Sequence, residues 1–145
     1  MKDIRVGIAV LLLAIAGLAG AQERRYTEGS VLAVTSVKVV DGQFENYMKF
    51  LDGTYKASME AAKKAGLILD YAVYSAAPRT PNDADLYLVV SYPNMAMLDG
   101  MDEKMDPIMA NVTKMDVVQR DEASGKRTTM RTLLGTELIR ELKLK

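Results

Sequence analysis

The 145-residue chain has no cysteine, no histidine and no tryptophan, and only two phenylalanines and four prolines. Each absence removes a class of chemistry. Without cysteine there is no disulfide framework, no thiol nucleophile and no acylated cysteine of a lipoprotein. Without histidine or cysteine there is no Cys/His zinc site, no histidine-ligated haem and no Ser-His-Asp triad. Charge of neither sign is in excess: 19 basic side chains face 19 acidic ones. A nucleic-acid binder normally carries a basic surplus, so no nucleic-acid partner is expected. Glycine-rich phosphate loops are also missing, Gly100 and Gly135 being isolated. The carboxylates Asp99, Asp102, Glu103 and Asp106 lack the spacing of a calcium loop. What is present is 49% hydrophobic residues, enough for the core of one domain.

One long apolar run stands out, residues 6–19 (VGIAVLLLAIAGLA). It follows Lys2 and Arg5 and ends at Ala19-Gly20-Ala21, the pattern of a cleavable signal peptide over residues 1–21. A membrane-spanning helix needs roughly 20 apolar residues, so an uncleaved anchor is the weaker reading and no stable membrane insertion is expected after cleavage. Cleavage leaves 17 basic and 18 acidic side chains. The expectation is a periplasmic or secreted protein held together by packing alone.

Residues 22–29 (QERRYTEG) are polar and read as a flexible lead-in to a single domain over residues 30–145. Ser30 to Val40 is rich in β-branched residues and predicts a strand. After Asp41-Gly42, the residues Phe44, Tyr47, Met48, Leu51, Tyr55, Met59 and Ala62 recur at helical steps, and Gly66 closes the helix. Gly53 inside it costs about 1 kcal/mol against alanine and suggests close approach to a strand. Leu67 to Ala76 and Asp85 to Tyr92 predict a hairpin across Pro78, Pro81, Asn82 and Asp83. Asn94 is placed to cap a second helix whose seam is Leu98, Met101, Met105, Ile108, Val112 and Met115. Asp106-Pro107 predicts a kink or a fresh start within it. Residues 119–128 read as a polar loop. Thr129 to Lys145 reads as one long or broken strand, with a helical stretch near Glu137 to Leu142 left open.

The order strand, helix, strand, strand, helix, strand predicts an α+β fold: a ferredoxin-like βαββαβ antiparallel sheet with two helices on one face. In that plan Val37-Lys38 near the end of the first strand, Asp41-Gly42-Gln43-Phe44 at the helix start and Tyr92-Pro93-Asn94 after the third strand resemble the dimeric α/β-barrel superfamily. That group includes stress-responsive barrel proteins, NIPSNAP-like proteins and small cofactor-free monooxygenases. The resemblance implies a homodimer, sheet packed on sheet, with a pocket on each barrel-lining face and no cofactor. It implies no particular reaction.

Strand alternation then divides the residues. Val37, Tyr71, Val73, Leu86, Leu88 and Val90 are assigned to the helices. Ser36, Lys38, Asp70, Tyr74, Tyr87 and Ser91 are assigned to the other face, joined by Arg131. In a closed barrel Lys38, Asp70, Tyr74, Tyr87 and Arg131 become candidate ligand-binding residues, a lysine beside a carboxylate being a candidate proton-transfer pair. The leading expectation is binding of a small, largely apolar molecule. A cofactor-independent enzyme of monooxygenase or isomerase type is an alternative, although many enzymes of the superfamily use histidine or tryptophan in the pocket and this chain has neither. An envelope assembly protein is another. Six of the ten methionines fall between residues 95 and 115, and Met95, Met97, Met101 and Met105 raise a thioether Cu(I) site as a minor reading. Met101 and Met105 lie on the helix seam, where methionine ordinarily fills core, so no metal is assigned.

Overall fold

The structure is a computed structural model and describes residues 23–145. The signal peptide expected over residues 1–21 lies outside the described residues.

Four strands form one antiparallel sheet in the order β2-β3-β1-β4: β1 is Tyr26–Val39, β2 Asp70–Ser75, β3 Leu86–Tyr92 and β4 Arg131–Leu144. The first strand starts earlier than its β-branched run suggested. Residues from Tyr26 onward pair with β4, and Lys145 N–H donates to the Arg25 carbonyl at 3.0 Å, so the second half of the expected flexible lead-in, from Tyr26 to Gly29, is strand. Before Val31 the β1–β4 pair runs past β3 as a two-stranded ribbon. The C-terminal segment is one continuous strand, with no helical stretch. Its spacing of leucines by four also satisfies a strand, because four is two strand periods.

The first helical run is α1 (Phe44–Phe50), a π-helical turn over Leu51–Tyr55, and α2 (Lys56–Lys64). Gly53 sits inside the π turn, and a Cβ built on it would meet nothing within 4 Å. The close approach to a strand expected there is absent. Val37, Val39, Tyr47, Leu51 and Leu86 form the buried cluster, with Val73, Leu88 and Met130 packed against it. The helical run therefore covers the sheet face that alternation assigned to it.

After β3, Asn94 caps a 3-10 turn, Met95–Leu98, its side chain accepting from Met97 N–H at 3.2 Å. Helix α3 follows (Met101–Thr113) and packs along α2. Pro107 lies inside α3 and the helix does not restart at Asp106. The Asp106 carboxylate is engaged by Arg120 instead of capping a new helix. The expected polar loop is helix α4 (Val117–Lys126). A reciprocal capping box builds its start: Gln119 N–H donates to Asp116 at 2.8 Å and Asp116 N–H to the Gln119 side chain at 3.0 Å. The spacing Asp116-x-x-Gln119 is a readable signal for this, and it outweighed a polar composition.

Candidate functional site

The sheet face turned away from the helices carries three cross-strand rows. They are Tyr74–Tyr87–Ser36–Gly135, Ala72–Val89–Val34–Glu137 and Asp70–Ser91–Leu32–Ile139. No described element covers them. A β-bulge re-aims one corner: Ser36 pairs with Gly135 and Val37 with Leu133, which leaves Leu134 as the extra residue of β4. Gly135 takes a φ of +154°, a conformation nearly confined to glycine.

Two hollows mark this face. The larger, about 540 Å³, lies between the bulge and the β2–β3 connection and is lined by Ser36, Tyr87, Asn82, Asp83 and Leu134 among others. The smaller, about 240 Å³, holds Asp70, Tyr74, Leu32, Val89 and Ser91. The five residues singled out from the sequence are thus distributed rather than gathered. Tyr87 and Tyr74 are cross-strand neighbours, each at one hollow.

Lys38 and Asp70 lie at opposite ends of the sheet, their β1 register positions six residues apart, which is about 20 Å. The proton-transfer pair expected of them is not assembled. Lys38 Nζ instead donates to Asp85 Oδ1 at 2.9 Å, and Asp70 Oδ1 accepts from Lys63 Nζ at 2.9 Å. Burial pushes the Asp85 carboxyl up, but the Lys38 ammonium and the Val39 N–H outweigh it and hold the carboxyl below its ordinary range. The Lys63 hydrogen bond, with the Tyr71 N–H, does the same for Asp70. Both carboxylates are held ionised by partners, the opposite of a group poised to take up a proton.

Arg131 is not on this face. It pairs with Val39, is 7% exposed, and reaches Tyr47 on the helix side. Strand parity counted from Leu144 places it correctly only when the bulge at Leu134 is known, since one extra residue reverses the face. The methionines divide as well. Met101 and Met105 are half-buried on α3 and Met95 is exposed on the 3-10 turn.

A second cavity, about 410 Å³, opens between the helices. It is lined from the first helical run by Phe50, Tyr55, Ser58 and Met59, from α3 and its C-terminal end by Met109, Val112 and Met115, and from α4 and its end by Arg120, Ala123 and Arg127. The sequence pattern carries no signal for it, because its third wall is α4, whose polar composition predicts a loop. Burial, with the neighbouring Tyr47 and Tyr71, pushes the Tyr55 phenol up to about 12. Burial, with the charge of Arg131, lowers the Arg127 guanidinium. The chain matches no protein-family model, no curated protein and no solved structure, so its reading rests on this geometry alone.

Proposed function

We propose that the protein is an exported homodimeric binding protein: two ferredoxin-like protomers closed sheet on sheet into an α/β barrel that holds a small, largely apolar molecule without a cofactor. The observation that carries this reading is the uncovered sheet face. Its middle row is Ala72, Val89 and Val34, and its charged members are displaced to the margins. Asp70 and Lys38 lie at the ends, already paired with Lys63 and Asp85, and Glu137 lies on the edge strand. An apolar centre with a charged rim is the distribution of a protein interface.

The area fits a second copy. Two strands of 14 residues and two of 6 and 7 give a flat face of about 650 Å² at ~3.3 Å per residue and ~4.8 Å per strand. Side-chain relief raises that toward the ~800 Å² per partner of a standard interface. The hollows at Tyr87 and Tyr74 then become enclosed, and enclosure turns a wet surface into a binding pocket.

Light scattering on the purified protein tests the reading. It expects twice the protomer mass, and the protomer mass with an unchanged circular dichroism spectrum for Val89→Arg, which sets a charge at the centre of the face. A monomer at all concentrations, or a dimer indifferent to Val89→Arg, refutes it. Export is checked separately by N-terminal sequencing of the periplasmic or secreted fraction, with Gln22 the expected first residue.

A further inference from the structure

The sheet ends on one side at β2, six residues long, and on the other at β4, fourteen residues long. A short edge strand protects itself, whereas a long one presents a row of unpaired N–H and C=O groups to any strand that can meet them. Lys145 N–H points into the sheet, toward the Arg25 carbonyl. Alternation then turns the N–H and C=O groups of Thr136, Leu138, Arg140, Leu142 and Leu144 outward, since β4 carries no extra residue between Gly135 and Lys145. Packing two sheets face to face leaves this row unmet.

The side chains of these residues fall on one side. Arg140 pairs with Val31, a fully buried residue of the helix side, so its even-numbered neighbours project there too. Leu138, Leu142 and Leu144 are 47%, 51% and 84% exposed on that side. Charge of both signs lies on the other side. Glu137 makes no ion pair among the described residues, and Lys143 holds only a loose contact with Glu141 at 3.8 Å.

This edge is complementary to itself. A two-fold axis normal to the sheet keeps each face on its own side, so the register of two antiparallel copies must be centred on a residue. Centring on Arg140 sets Leu138 against the partner's Leu142 and Glu137 against the partner's Lys143, each pair formed twice. Arg140 then meets its own copy, a like-charged pair relieved because each guanidinium already holds Glu28 at 2.6 Å. Shifting the centre by one residue is worse. Ile139 at the centre sets Glu137 against Glu141, and Glu141 at the centre meets itself, with the Lys143 ammonium no closer than 3.8 Å.

We propose that β4 is a second self-association surface, on which two copies pair their β4 edges antiparallel about Arg140 and join their sheets into one. The joint lies in the plane of the sheets, so it leaves the open face free and does not depend on the sheet-on-sheet dimer. It spans about nine residues a side against the ~20–30 of a standard interface, so it is weak and forms as the protein is concentrated.

Light scattering on the purified protein, from ~10 µM to ~1 mM, tests it. The mass at least doubles over that range from that of the dilute species, in Val89→Arg as in the parent. Lys143→Glu sets carboxylates against each other at both ends of the joint and suppresses the rise. The double reversal Glu137→Lys with Lys143→Glu restores it, which a merely structural role for either residue would not. Because the chain has no cysteine, oxidative cross-linking reads the register. Arg140→Cys sits at the axis, where opposed Cα atoms lie ~5.5 Å apart, and gives a covalent dimer, whereas the more exposed Leu144→Cys gives none. A mass that does not rise, a rise that survives Lys143→Glu, or one that the double reversal fails to restore overturns the proposal. Equal cross-linking of the two cysteine variants overturns it as well. A rise seen in the parent and absent from Val89→Arg belongs to the sheet face, and it overturns the edge joint while leaving the sheet-on-sheet reading standing.

Discussion

Asp85 ties the β2–β3 connection to β1, and removing its carboxylate tests how much that tie contributes. Oδ1 accepts from Lys38 Nζ at 2.9 Å and Oδ2 from Val39 N–H at 2.8 Å, with the Asp85 side chain 23% exposed. A hydrogen bond to a charged group is worth about 1.5–3 kcal/mol, and a partly exposed ion pair adds about 0.5 kcal/mol. Asp85→Ala strips both and leaves the Val39 N–H without its acceptor, so a loss of about 2–3 kcal/mol is expected, which lowers Tm by about 10 °C for a domain of this size. Asp85→Asn keeps an acceptor for Val39 and loses the charge, so it should cost about half as much. The pH dependence has a definite sign. The folded carboxyl sits below the ordinary value of 3.8, so its stabilisation is complete above that value and is lost as pH falls through the lower folded one. Urea titrations of the parent and Asp85→Asn should therefore differ at pH 7 and converge below pH ~3.8. A difference for Asp85→Ala within about 0.5 kcal/mol at pH 7 would refute the reasoning, because that is the range of an ordinary surface change.

Two glycines give a matched pair of expectations. A Cβ meets nothing within 4 Å at Gly53 or at Gly135, so backbone conformation alone decides the sign. Gly53→Ala, in the helical run, should raise stability by up to about 1 kcal/mol, whereas Gly135→Ala, at φ +154°, should lower it by about 1–3 kcal/mol; like signs in thermal melts would defeat this. Asp116→Ala removes the capping box of α4 and should cost about 1 kcal/mol, with hydrogen exchange rising in α4 first; uniform loosening of the sheet would count against it. Leu51→Ala empties a buried position of the core cluster and should cost about 2–5 kcal/mol, against under 1 kcal/mol for the exposed Leu144→Ala, both read from denaturant midpoints.

What the sequence determined by itself was set by periodicity and by composition. The β-branched run of β1, the helical steps from Phe44 to Ala62 and the alternation along β3 each reflect a burial pattern that a strand or helix must satisfy locally. Alternation also placed Val37, Val73, Leu86 and Leu88 against the helices and Tyr74, Tyr87 and Ser36 away from them. The absence of cysteine and histidine by itself rules out whole chemistries. Tertiary structure decided what local pattern cannot carry. Which cation meets which carboxylate depends on strand register, so Lys38 found Asp85 and Asp70 found Lys63. The face of Arg131 depends on one extra residue in β4, a pairing property of two strands distant in sequence. The cavity between the helices needed α4 for its third wall, and it exists only where three helical segments meet. A void is defined by what surrounds it, and no single stretch of chain encodes that.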